Sequence, residues 1–124
     1  IFCSIIRKEI DASIVYENER VLAFADIHPI APVHVLIIPK KHIASLNDAE
    51  ESDRETLGDI LLAAGKIAEK TIFADLGSDG RERSVAESGY KVLLRTGKYG
   101  GQEVGHIHAH LLGGGPLYEE IRLM

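Results

Sequence analysis

Three of the six histidines fall at alternate positions in one short run, Gly105-His106-Ile107-His108-Ala109-His110-Leu111-Leu112. Successive side chains of a strand point to opposite faces. His106, His108 and His110 therefore share one face, while Ile107, Ala109 and Leu111 line the other. One face packs and the other presents imidazoles. Two chemistries suit such a row. Alternate neutral imidazoles can share a metal ion, with His34 or His42 completing the set. A neutral imidazole is also a nucleophile toward phosphorus near neutral pH, and its phosphoramidate product is labile enough for water to discharge it. A row of solvated histidines is the remaining reading, but solvation demands no such regularity.

The turn before the row separates these readings. In Gly97-Lys98-Tyr99-Gly100-Gly101-Gln102-Glu103 the glycines lack a Cβ and can take positive φ, so backbone amides can approach a ligand closely. Such a nest suits an oxyanion. A tight hairpin would by itself explain Gly100-Gly101. Joined to three histidines within ten residues, the turn points to phosphoryl chemistry.

The rest of the chain must hold these groups in place. Residues 1–7 put Phe2, Ile5 and Ile6 at helical spacing, which predicts a short opening helix or a packed turn. Residues 13–16 and 21–25 are β-rich and flank Glu17, Asn18, Glu19 and Arg20, a hairpin with a four-residue connection. Pro29 and Pro32 forbid regular helix, and residues 34–38, closed by Pro39, read as a buried strand. From Ser52 to about Lys70 the stripe Leu57, Ile60, Leu61, Ala64, Ile67 and Ala68 predicts the main helix, with Ser52 and Glu55 as its capping box. Residues 75–88 are polar, carry Gly77 and Gly80, and read as an exposed loop. Residues 90–95 read as a strand and 104–112 as the last strand, stopped by Gly113-Gly114-Gly115-Pro116. Long strand pairs around one main helix make an α+β domain.

With 124 residues the chain is one domain's worth, 1–124. Its 45% hydrophobic and 27% charged residues are those of a globular protein rather than a disordered or fibrous one. A formal net charge of -5 argues against a nucleic-acid partner, which clustered cations would have to hold, but allows a small anion held by local donors. The one cysteine, Cys3, excludes an internal disulfide framework, and residues 1–10 carry Arg7, Lys8 and Glu9 rather than a signal-peptide pattern. No window approaches a membrane span. A cytoplasmic setting, with neither membrane nor nucleic acid as partner, is expected.

The stretch from Gly100 to Gly114, Gly-Gly-Gln-Glu-Val-Gly-His-Ile-His-Ala-His-Leu-Leu-Gly-Gly, resembles the signature of the histidine-triad family, and most closely its Hint branch. Residues 2–9, Leu22-Ala23-Phe24-Ala25-Asp26-Ile27, Ala31-Pro32 and residues 34–43 also resemble Hint sequences, in the same order. The resemblance implies an antiparallel sheet with one main helix and a short N-terminal helix, paired about a two-fold axis into a homodimer with a continuous sheet. It implies a purine nucleotide site on each subunit, and hydrolysis of nucleoside phosphoramidates or related nucleotides through a nucleotidyl-histidine, with no cofactor and no metal required. By position, His108 would be the nucleophile. His110 and the amides of Gln102 and Glu103 would hold the phosphate oxygens, with Gly101 and Val104 beside them; His106 would support the site from behind, and His34 would join the imidazole cluster. Asp26 would receive the ribose hydroxyls, and Ile27 with Phe24 and Leu22 would form an apolar slot for the base.

Two positions depart from the pattern. Glu103 stands where many Hint proteins have serine, and could hydrogen-bond a leaving amine. Arg95 stands where many carry asparagine, and could reach the phosphate or form a solvated pair with Glu103. The C-terminus after Gly115 does not resemble the eukaryotic tail. In some bacterial members that begin with Cys-x-x-Cys, the resemblance implies a structural zinc held by those cysteines, the histidine of a Lys-Lys-His segment and the first triad histidine. Cys3, His42 and His106 match three of those four positions, and the other cysteine would have to precede Ile1. A nucleotide-binding protein with incidental hydrolysis and a metal-dependent hydrolase are the alternatives to the phosphoramidase reading.

Overall fold

A computed structural model of the protein describes residues 2–9 and 11–117. Ile1 of the expected opening helix and most of the C-terminal tail lie outside the described residues. The helix α1 (Phe2–Ile6) leads to the strands β1 (Ile14–Glu17), β2 (Val21–Ala25) and β3 (Val33–Pro39). Two short 3-10 turns precede the main helix α2 (Arg54–Lys70). After it come β4 (Ile72–Ala74), β5 (Glu82–Ser84), α3 (Val85–Ser88), β6 (Lys91–Leu94), α4 (Gly97–Gly100) and β7 (Ala109–Gly113). Every pairing in the five-stranded sheet β1-β2-β3-β7-β6 is antiparallel, so the α+β expectation holds.

The sheet has two buried faces, each with its own cover. Val21, Ala23, Val35, Ile37, Ala109 and Leu111 point to one face and pack with Ile60, Ala63, Ala64 and Ile67 of α2. Leu22, Phe24, Leu36 and Ile38 point to the other and pack with Phe2 and Ile5 of α1. Period-two alternation along β2 and β3 produces this division, because β-branched and aromatic residues occupy both sets of positions. His34 and His110 lie on the α1 face, where Leu36 is the cross-strand partner of His110.

Several expectations need correction. The stretch 75–88 is not a plain loop: β5 pairs with β4, and Ser84 caps α3 through a reciprocal box with Glu87. Its polar sequence concealed a short two-stranded sheet that lies outside the main sheet. The main helix begins at Arg54, not Ser52, and the capping box closes on the 3-10 turn before it, where Asp53, rather than the expected Glu55, reaches back to the Glu50 N–H at 2.9 Å. Glu55 instead pairs with Arg20 at 2.7 Å. Leu61 is 60% exposed, and Ala63 takes its place in the buried stripe. The hairpin turn holds three residues, with the Asn18 side chain accepting from the N–H groups of Arg20 and Val21. The penultimate strand ends at Leu94, so Arg95 lies just beyond it. The glycine-rich turn is one helical turn, closed by Gly101 at φ +80°. The last strand starts at Ala109 rather than Val104, so only His110 of the three histidines is on it.

Candidate functional site

The alternation of the histidine run survives although the strand starts late. Ile107 and Ala109 are in the α2-side core, and the Ile107 N–H donates to the Ile43 carbonyl at 2.7 Å. This bond holds the run extended, so His106 and His108 turn to the α1 face. There the Phe2 ring meets both edge-on, at 5.8 and 5.2 Å between centroids. His34, His106 and His108 are all buried.

Fixed backbone partners decide where the ring protons sit. A backbone N–H can only donate and a carbonyl can only accept. Ile30 N–H donates to His34 Nδ1 at 3.1 Å, so the proton of neutral His34 is on Nε2. That nitrogen faces His110 Nδ1 at 3.0 Å and Asp26 Oδ2 at 3.4 Å. Donation to His110 Nδ1 places the His110 proton on Nε2, which is buried and has no partner. The chain of bonds thus ends on an unused N–H donor. On the neighbouring ring, His108 Nδ1 donates to the His106 carbonyl at 2.8 Å, so its Nε2 carries the lone pair. The two rings are 4.9 Å apart between centroids. A nucleophilic nitrogen and a hydrogen-bond donor therefore stand side by side.

The same reasoning separates two clusters that could hold a metal, Asp26-His34-His110 and Cys3-His42-His106. In the first, His34 would have to ligate through Nε2, the nitrogen that the Ile30 N–H obliges to be protonated. The donor set does not fit a catalytic ion. In the second, His106 Nε2 donates to the Pro39 carbonyl at 2.9 Å, which frees Nδ1 as a ligand. Nδ1 of His42 lies 3.1 Å away, and Cys3 Sγ is 3.8 Å from both nitrogens. A thiolate and two imidazoles suit zinc. There it would tie α1 and the Lys41-His42 segment to the triad and supply structure rather than Lewis-acid chemistry at phosphorus.

A cavity of about 480 Å³ opens beside His108 and His110. Its wall brings together most of the expected site: His34, Asp26, Ile27, Phe24, Arg95, Gly101, Glu103 and Val104. His106 lies behind His108, off the wall, and reaches it through its carbonyl. Ile27 is 85% exposed at the rim, an apolar surface on which a base could stack. Leu22 is fully buried in the core and does not line the slot; Leu36, Phe2 and Ile5 do, and nothing in their sequence positions distinguished them from core. Gln102 also lies off this wall. Its N–H donates to the Gly97 carbonyl, and its side chain accepts from Gly97 N–H and donates to the carbonyls of Ala44 and Val104. It braces the turn that carries Gly101 and Glu103. Asp26 Oδ1 accepts the His28 N–H at 2.8 Å, which fixes the carboxylate at the rim. Among the described residues Arg95 forms no ion pair, with Glu103 or any other carboxylate.

Burial sets the charge state of the cluster. It pushes His110 down to about 4, with His108 and His34 adding to the effect. It also lowers His34, against the pull of Asp26, and lowers His106, against the Pro39 carbonyl. An ordinary histidine titrates near 6.5. Between that value and about 4 the unfolded chain takes up protons that folded His110 does not, so stability present above pH 6.5 is lost as the pH falls. The thermal midpoint should therefore decline across this window, and His110→Gln should flatten the decline. A wild-type midpoint that stays level from pH 7 to pH 4.5 would contradict the neutral, buried assignment.

A model of the HIT domain family matches residues 7–117. Purine nucleoside phosphoramidase of Escherichia coli K12 is 45% identical over 117 residues, covering 94% of this chain and 88% of the relative. Among solved structures, a HIT family hydrolase from Legionella pneumophila is similar at 46% identity and a TM-score of 0.78, covering 92% of this chain and 91% of that one. A histidine triad protein from Clostridium difficile is similar at 38% identity and a TM-score of 0.81, covering 97% and 94% respectively.

Proposed function

Because this chain belongs to the HIT domain family, we propose that it hydrolyses purine nucleoside phosphoramidates or related nucleotides at the α-phosphorus, through a nucleotidyl-histidine on His108. The observation that carries this reading is the 2.8 Å bond from His108 Nδ1 to the His106 carbonyl, which leaves the lone pair of this cavity-lining histidine on Nε2. Nε2 attacks phosphorus as the P–N bond breaks, and the leaving amine takes up a proton from solvent, which the later attack of water on the nucleotidyl-histidine gives back. Water then attacks the nucleotidyl-histidine, releasing the nucleoside monophosphate and restoring His108. His110 Nε2–H donates to a nonbridging oxygen whose charge grows in each transition state. The Asp26 carboxylate takes the ribose hydroxyls, Phe24 and Ile27 hold the base, and Glu103 on the wall can hydrogen-bond the leaving amine.

Turnover of adenylyl and guanylyl phosphoramidates tests this reading. Release of the monophosphate that persists after exhaustive chelation is the expected result. Tight nucleotide binding without turnover would favour a binding protein, and loss of turnover on chelation would favour a metal-dependent hydrolase. We place the enzyme in the cytoplasm as a single domain over residues 1–124, and among the described residues no helix is long and apolar enough to cross a membrane.

A homodimer with a continuous sheet belongs to the same proposal. β6 is an outer strand of the sheet, and Leu61 and Leu62 leave 60% and 64% of their surface exposed on α2. An outer strand and an exposed apolar stretch of helix are surfaces that a two-fold partner would cover. Sedimentation should give twice the chain mass, and Leu62→Glu should shift the protein toward monomer. A wild-type monomer at micromolar concentration would contradict the assembly.

A further inference from the structure

We propose that Arg95, rather than the imidazole cluster, reads the charge of the phosphate in this cavity, its guanidinium holding the nonbridging oxygens of a nucleoside monophosphoryl group. The inference rests on the nucleotide reading above and assigns the charge recognition within it.

Among the described residues that line the cavity, Arg95 is the only arginine or lysine, against the carboxyl groups of Asp11, Asp26 and Glu103. The bonds of His34 and His110 account for neutral rings, so these two imidazoles offer a donor but no permanent charge. Without Arg95 a phosphate would enter a wall carrying only negative fixed charge.

The Arg95 side chain is exposed and has no carboxylate partner among the described residues, so its donors are not spent on any of them. The fork of a guanidinium matches two phosphate oxygens, which neither an amide nor an ammonium can do.

Arg95 directly follows β6, where Leu93 pairs with His110 and Leu94 with Ala109, so the backbone delivers it beside the strand that carries the donor imidazole. Its Nη1 lies so close to Gly101 that a Cβ there would sit 3.1 Å away. The side chain is thus laid across the glycine that opens the Gly101–Val104 wall. Its charge also reaches both rings, since it disfavours protonation of His34 and of His110. One guanidinium then has two effects: it attracts the phosphate and adds to the burial that holds His110 neutral.

Calorimetric binding of AMP and of adenosine to the wild type, Arg95→Asn and Arg95→Lys tests the inference without any turnover. Arg95→Asn should weaken AMP binding by about tenfold or more, and leave adenosine binding unchanged, which also shows that the variant is folded. Its AMP affinity should depend less on salt than that of the wild type. Arg95→Lys should recover part of the affinity, because it keeps charge but loses the fork. Equal AMP affinity in the wild type and Arg95→Asn at low and moderate salt would overturn the inference while leaving the nucleotide site standing. Failure of the wild type to bind either ligand would overturn both.

Discussion

Replacing His108 by asparagine should lower turnover by roughly four to six orders of magnitude, the scale seen when a nucleophile is removed from an otherwise intact site. AMP binding should survive. The reason lies in how the ring is used. Its Nδ1 is spent on the His106 carbonyl, so all its chemistry resides in Nε2, and asparagine places no comparable lone pair there. The amide can still donate to the same carbonyl and fill part of the space under Phe2, so the wall should keep its shape. Activity within tenfold of wild type would mean that water attacks phosphorus directly. A parallel loss of AMP binding would mean that the ring serves binding instead.

Replacing His110 by alanine should lower kcat by about two to three orders of magnitude, as removal of one buried oxyanion donor does. KM should change less, because the donor's value grows with charge on the oxygen in the transition state. His110 Nε2–H is suited to this role by its lack of any protein partner: a buried donor left unpaired is costly, and a ligand oxygen relieves the cost. Its neutrality matters as much. With the ring pushed down to about 4, it donates the same proton throughout the physiological range and does not titrate as the pH changes. His110→Gln, which keeps an amide donor, should recover part of the rate. A variant with normal kcat and raised KM would identify His110 as a ground-state contact only.

The chemistry was legible in the sequence because it repeats with the period of a strand. His106, His108 and His110 alternate with Ile107, Ala109 and Leu111, and that pattern decided their faces even though regular strand geometry begins only at Ala109. The sheet was legible for the same reason, along Val21–Ala25 and Val33–Pro39. Local signals were ambiguous where two capping groups compete. Asp53 and Glu55 are two positions apart, and the choice of Asp53 as the residue that reaches back goes with its 2.7 Å pair to Lys41, a tertiary contact. Leu61 was misplaced because helical spacing marks an apolar face but not whether its edge meets the sheet or solvent.

What sequence could not supply is the direction of each bond. His34 and His110 are 76 positions apart, and only the β3-β7 register, with Leu36 opposite His110, brings their nitrogens to 3.0 Å. Gln102 read as part of an anion nest, yet its side chain bonds to the Ala44 carbonyl across the fold and braces the turn instead. The metal question likewise turned on two backbone groups, the Ile30 N–H and the Pro39 carbonyl, which no spacing rule would single out.

The central claim is that His108 becomes covalently nucleotidylated during turnover. Enzyme mixed in excess with an adenylyl phosphoramidate, quenched within a single turnover and read by intact mass and peptide mapping, tests it directly. An added adenylyl group on His108, formed and lost at rates that support overall turnover and absent from His108→Asn, is the expected result. Full turnover with no adduct at any quench time, or an adduct confined to another residue, would contradict it.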